Sequence, residues 1–302
     1  MKSVLITGIT GFLGSHVAEN LVNNNFTVIG LKRKSSNIWR CDAFKDKIIW
    51  IDIDEEEKYK NEILKYKIDT IIHGAWIGVE AHERDDWNLQ SKNVHFLIAL
   101  LQIAKDLSLK KFIFLGSQAE YGTINGVINE EQKCEALNAY GSVKLACLEL
   151  LKTFSKTNNI TWIWLRLFSL FGEKENETWL IPSLIQKMKR ESQMDFTLGQ
   201  QKYAYLYVKD FASIINKIIV LPVVSGIYNI SSDNVRPIRS VVEEIRNKIN
   251  PEFKLNFGAL NYRENQSMHM QGSIDKLITQ LGNIEFADFS VAIENTIKYY
   301  NK

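Results

Sequence analysis

Apolar residues in the first half of the chain fall into short β-branched runs separated by longer amphipathic stretches. The runs are SVLITG (3–8), TVIGL (27–31), KIIWIDI (47–53), DTIIHGAW (69–76), KKFIFLGS (110–117) and ITWIWLRLF (160–168). Between them HVAENLVNN (16–24), VHFLIALLQIAKDL (94–107) and KLACLELLKTFSK (144–156) place apolar residues every three or four positions, the period of a helix with one buried face. Strands alternating with helices in this way predict a parallel sheet covered on both sides, with ligands bound at the carboxyl ends of its strands.

After about residue 170 the rhythm shortens and mixes. YLYVKDFASIINKIIV (205–220) is the last clear strand-helix pair, and GIYNIS (226–231) is a further candidate strand. The pattern predicts an α/β, Rossmann-type doubly wound domain over residues 1–168, with 205–222 returning to it, and a smaller α+β substrate lobe over 169–302. The length of 302 residues and the 45% hydrophobic content support a sizeable core. A net charge of +2, with acids and bases interspersed, gives no footprint for nucleic acid or an anionic membrane. Cys41, Cys134 and Cys147 lack metal-ligand spacing and are odd in number, so neither a zinc site nor a disulfide framework is expected. No signal-like or membrane-spanning stretch is read, and a cytoplasmic location is expected.

The first run leads into TGITGFLG, in which Gly8, Gly11 and Gly14 close a strand and open a helix. In that context Gly8 permits the tight turn, Gly11 lets the backbone approach a pyrophosphate, and Gly14 permits close helix packing, while the helix start offers free N–H groups. Thr10, Phe12 and Leu13 complete the loop and are expected to contact the cofactor with the glycines. At the end of the second run, where an acid would grip the ribose hydroxyls of NAD, the chain reads Lys32, Arg33, Lys34 and Ser35. That cluster would receive a 2′-phosphate, so NADP(H) is preferred, with NAD(H) open.

AYGSVK places Tyr140 and Lys144 one helical turn apart, facing a common ligand. An ammonium there is expected to lower the phenol's pKa and to hold the nicotinamide ribose, so that the phenol exchanges a proton with a carbonyl or hydroxyl. Ser117, at the carboxyl end of the fifth run in FLGSQAEYG, could bond the same oxygen.

In these motifs the chain resembles the extended short-chain dehydrogenase/reductases that act on nucleotide sugars, the NAD-dependent epimerase/dehydratase family. The resemblance spans nearly the whole chain: TGITGFLG matches the family's glycine motif, Ser117 its hydroxyl, and Tyr140 with Lys144 its proton-transfer pair. It further implies that Asp52 and Ile53 lie near the adenine, that Gly74, Ala75 and Trp76 of HGAW line the cofactor, and that Asn93 contacts it. Family 4,6-dehydratases follow the Ser/Thr with Asp-Glu, and this chain has Gln118 and Ala119, which cannot serve as general acid or base. The fucose-nucleotide epimerase-reductases use a Cys at the Ala119 position and a His after the sixth strand, where EKEN (173–176) has none.

What remains is a Ser-Tyr-Lys set sufficient for one ketone reduction or for 4-epimerisation. The basic cluster favours NADPH-dependent reduction of a 4-keto nucleotide-linked deoxysugar, as in surface polysaccharide or glycan precursor synthesis. The alternatives are a nucleotide-sugar 4-epimerase and a non-catalytic NADP-sensing regulator. LGQQKYAYLYV (198–208) looks like the matching stretch of CDP-sugar 4-reductases. For the substrate, Arg263 matches a family Arg, while Ser169 stands where the family has an Asn and Tyr203, with Lys202 beside it, where the family has an Arg; Gln118 and Tyr121 are further candidates to line a sugar pocket, although an aromatic in this setting is more often core. It also implies a homodimer through the helices at 94–107 and 144–156.

Overall fold

The computed structural model describes residues 2–301. From the N-terminus it runs β1 (Ser3–Thr7), α1 (Phe12–Asn23), β2 (Thr27–Lys32), β3 (Ile48–Asp52), α2 (Glu56–Ile63), β4 (Thr70–His73), α3 (Trp87–Asp106), β5 (Lys111–Leu115), β6 (Asn125–Ile128), α4 (Ala139–Asn158) and β7 (Thr161–Leu167). Then follow β8 (Ser169–Phe171), α5 (Leu180–Arg190), β9 (Gln193–Phe196), β10 (Lys202–Tyr207), α6 (Val208–Val220), β11 (Gly226–Ile230), β12 (Val235–Pro237), α7 (Ile238–Ile249), β13 (Lys254–Phe257), β14 (His269–Gly272), α8 (Asp275–Leu281) and α9 (Phe289–Tyr300).

Seven strands form one parallel sheet in the order β11-β7-β5-β4-β1-β2-β3. Its strands read as near-continuous apolar runs because helices cover both faces and neither side of the pleat meets water. One face packs under α1 and α6, around Val17, Leu21, Phe211 and Ile215. The other packs under α3 and α4, around Leu97, Leu101, Val143 and Leu151. The strand order reverses between β1 and β4, so the crevice that accepts a ligand opens where Gly8 and Gly74 end those strands.

Two segments depart from the sequence reading. GIYNIS, assigned to the second lobe, supplies β11, which pairs in parallel with β7 from Gly226↔Ile163 to Ile230↔Leu167 and completes the large sheet. Conversely β6, within 1–168, belongs to a second sheet ordered β12-β10-β14-β6, with β8 also paired to β10. The 205–222 segment divides: its strand residues lie in β10 of the second sheet, and α6 packs on α1 against the first. The chain therefore crosses between the two sheets repeatedly, which no single boundary expresses. Among the described residues no helix is long and apolar enough to cross a membrane, and no cluster of His, Cys, Asp or Glu could hold a metal ion.

Candidate active site

The turn from β1 to α1 is built by its glycines. Gly8 stands at φ +71°, which L side chains rarely adopt, and a Cβ there would lie 2.6 Å from the Ala75 nitrogen. A Cβ on Gly14 would lie 2.2 Å from the Gly8 carbonyl oxygen. The Gly11 N–H closes the turn by donating to the Gly8 carbonyl at 3.0 Å. Gly11 is also the N-cap of α1 and brings no side chain to its first turn. The leading N–H groups of the helix, with its positive dipole end, thus face the crevice uncapped, a donor set that fits a dinucleotide's diphosphate. Thr10 lies in this turn, while Phe12 and Leu13 are half-buried against the core.

At the end of β2 the basic cluster is partly spent. Lys32 and Asp52 are register partners on β2 and β3, and the Lys32 ammonium donates to Asp52 at 2.5 Å. The Lys34 N–H donates to Asp54 at 2.8 Å, and its ammonium lies 3.7 Å from Glu55. Ser35 and Arg33 are exposed, and among the described residues Arg33 is the cation of this cluster without a carboxylate partner. The Ile53 N–H donates to the Lys32 carbonyl and extends the pairing.

At the end of β4 the Gly74 and Ala75 N–H groups donate to the carbonyl and the hydroxyl oxygen of Thr7 at 3.2 and 3.1 Å, joining the two strands at the crevice. Trp76 donates from its indole to the buried Gln90 at 2.8 Å. The sequence reading placed Asn93 on the cofactor. Its amide accepts from the Ile77 N–H and donates to the carbonyls of Ile77 and Gln90, so it shapes the loop that follows β4. His73 shares a 2.7 Å hydrogen bond with Thr7, and burial together with the Lys144 charge pushes its ring down to about 3, which keeps it neutral.

Ser117, Tyr140 and Lys144 converge beyond β5. Asn138 caps α4 by accepting from the Gly141 N–H, and a Cβ at Gly141 would come within 2.6 Å of the Ala119 carbonyl. That glycine lets the helix start press on the 3-10 turn Gln118–Glu120, bringing the Tyr140 phenol to the Ser117 hydroxyl. Burial raises the phenol above its ordinary value, the Ser117 hydroxyl and the Arg84 charge oppose the rise, and Glu120 adds to it. Lys144 is buried, donates to the Leu115 carbonyl at 2.8 Å, and lies 3.7 Å over the Trp76 ring. Burial drops its ammonium to about 7 against the pull of Glu120 and Cys147. The phenol thus stands above its ordinary value, where a neighbouring ammonium was expected to bring it below: burial outweighs Ser117 and Arg84, and the Lys144 ammonium is turned to the Leu115 carbonyl.

Sequence reasoning missed what holds Ser117. Glu120 is fully buried and accepts from the Ser117 N–H at 2.7 Å, from the Trp164 indole at 3.0 Å and from Arg166 at 2.7 Å. Arg166 also lies 4.3 Å over the Tyr121 ring. Burial pushes the Glu120 carboxyl up, and Arg166 opposes it. Ser117-x-x-Glu120 is a capping box, with the Ser117 side chain accepting from the turn and Glu120 reaching back, and that spacing was the available signal.

A family model described as the NAD dependent epimerase/dehydratase family matches residues 4–231, ending one residue beyond β11. The chain belongs to this family. Among its relatives it is 27% identical over 294 residues to the CDP-abequose synthase of Salmonella muenchen, covering 96% of this chain and 94% of that protein. It is 25% identical over 277 residues to the dTDP-6-deoxy-L-talose 4-dehydrogenase (NAD(+)) of Aggregatibacter actinomycetemcomitans, covering 90% and 99%. In fold it superposes on the UDP-glucose 4-epimerase of Thermotoga maritima with a TM-score of 0.89 at 18% identity, covering 99% and 98% of the two chains.

In this family member the second lobe gathers only some of the residues assigned to substrate. Tyr203 on β10 meets Gln266 through its hydroxyl, and burial raises its phenol while Arg263 opposes the rise, so these three share one place. Lys202 does not join them. Adjacent residues on a strand point to opposite faces, and Tyr203 shares its face with Tyr205, 6.3 Å between ring centres. Tyr121 is also corrected: it is buried among Ile124, Phe168 and Met270 and donates to Asn229 at 2.7 Å, as a core residue. Ser169 opens β8 opposite Tyr205, half-buried, and Gln118 is half-buried beside Ser117.

Proposed function

We propose that the protein reduces the 4-keto group of a nucleotide-linked deoxysugar with NADPH, in the cytoplasmic synthesis of a surface polysaccharide or glycan precursor. The observation that carries this reading is the Ser117, Tyr140 and Lys144 set beside the cradle, with Gln118 and Ala119 rather than carboxylates after Ser117. A bound nicotinamide cofactor supplies hydride to the carbonyl carbon. Tyr140 gives its phenolic proton to the carbonyl oxygen, and Ser117 donates a hydrogen bond to that oxygen. Lys144, whose ammonium lies 5.7 Å from the centre of the Tyr140 ring, holds the ribose. Tyr203, Gln266 and Arg263 receive the nucleotide end. The names of the two relatives, a nucleotide-sugar synthase and a nucleotide-deoxysugar 4-dehydrogenase, support the substrate class. The working unit is read as a homodimer joined through α3 and α4, where Ile98 and Leu150 are exposed.

A second reading, 4-epimerisation with retained NAD, is favoured by one observation: Asp52 holds the Lys32 charge beside the ribose position. Purified protein, a 4-keto-6-deoxy sugar nucleotide and NADPH separate the readings. Oxidation of NADPH with one equivalent of alcohol formed is expected. Interconversion of 4-epimeric sugar nucleotides without net oxidation would establish the second reading, and binding of NADP without either reaction would leave a sensor. For the cofactor, Arg33→Ala is expected to raise the KM for NADPH about tenfold and to leave that for NADH nearly unchanged. Equal effects on both would remove Arg33 from the phosphate site.

A further inference from the structure

The loop between β4 and α3 contributes more to Tyr140 than a lid would. A single 3-10 turn, Ala81–Glu83, is fixed by a capping box in which the side chains of Glu80 and Glu83 each accept from the other's backbone. Glu80 also accepts from the Asn176 side chain at 3.0 Å, tying this loop to the one that follows β8. Arg84 comes next, and its Nε donates to the Val79 carbonyl at 3.0 Å, which fixes the direction of the guanidinium. Two parts of Arg84 then reach Tyr140. Its backbone carbonyl accepts the Tyr140 N–H at 2.8 Å, satisfying a donor that the first turn of α4 leaves without a helical partner. Its guanidinium stands 5.1 Å from the centre of the Tyr140 ring.

We propose that Arg84 is a positioning residue for proton transfer at Tyr140: its carbonyl fixes the start of α4, and its guanidinium stabilises the phenolate that remains when the proton leaves. A cation over a phenol ring is attracted to the neutral ring and more strongly to the phenolate, so its effect grows as the transfer proceeds. The other groups facing the phenol are the Ser117 hydroxyl and Glu120 beyond β5, Lys144 on the same helix with its ammonium 5.7 Å from the ring centre, and Trp76, edge-on at 5.8 Å. Glu120 opposes phenolate formation and is paired with Arg166. Arg84 therefore brings a second cation to the ring, from a different element than Lys144 and at 5.1 Å from its centre. The inference rests on reading Tyr140 as the proton-transferring group.

The test reads the phenol directly. Tyrosinate absorbance is titrated for the unmodified protein and for Tyr140→Phe, and the difference gives the midpoint of Tyr140; the same is done for Arg84→Gln, with and without Tyr140→Phe, and for Arg84→Lys. Arg84→Gln is expected to move the midpoint alkaline by about one pH unit, the size that one charge near 5 Å produces, and Arg84→Lys to recover most of that shift. The backbone carbonyl persists in both variants. Coincident midpoints in the unmodified and Arg84→Gln proteins would overturn the proposal, as would equal shifts in Arg84→Gln and Arg84→Lys. No substrate enters the measurement, so a protein that failed the reductase assay would still yield the midpoint and the two failures remain distinct.

Discussion

Tyr140→Phe is expected to lower turnover by about 10²- to 10⁴-fold, the share of a rate that a positioned general acid contributes, while the affinity for the nicotinamide cofactor stays within a factor of about three. Substitution by Phe removes only the hydroxyl. The ring keeps its edge-on contact with Trp76 and its place under Arg84, and the backbone N–H still donates to the Arg84 carbonyl. The glycine turn at Gly8, Gly11 and Gly14, proposed to hold the diphosphate, belongs to another strand end and is unaffected. Steady-state rates measured beside a fluorescence titration of cofactor separate the two quantities. Turnover within a few-fold of the unmodified protein would show that the proton comes from elsewhere, with Ser117, whose hydroxyl faces the same point, the next group to test.

How much of this site the sequence disclosed depends on the range over which its causes act. Strands β1 to β5 and β7 were legible because helices bury them on both faces, which forces continuous apolar runs, and the glycine turn was legible because its backbone excludes other residues. Tyr140 and Lys144 needed only the helical period. β11 was readable as a strand and not as a member of the large sheet, because its partner β7 is some sixty residues away and the α6 crossover decides the pairing. The same limit hid the Lys32–Asp52 pair, which follows from the register of β2 against β3. Tyr203 and Lys202 were grouped by adjacency, and the two-residue period of a strand separates them. Arg84 gave no signal at all: it lies in a loop whose path is set by Gln90 and Asn93 on α3 and by Asn176 in the loop after β8.

The largest effect on stability is expected from Glu120→Ala, a loss of about 3 to 5 kcal/mol, because it leaves a buried guanidinium without its counter-charge. The side chains of Glu120 and Arg166 are 0% and 3% exposed, so water does not replace what is removed, and the indole N–H of Trp164 loses its acceptor at the same time. Urea unfolding reads the loss as a fall in midpoint without a change of slope. The double replacement Glu120→Leu with Arg166→Met should recover most of the stability, since a buried ion pair exchanged for apolar groups of similar volume is often neutral. It should not recover turnover. The Ser117 N–H, which donates to Glu120 at 2.7 Å, would still lack the acceptor that sets the turn after β5 and aims the hydroxyl at Tyr140. A double variant with both stability and turnover restored would show that Glu120 balances the Arg166 charge and has no part in shaping the site.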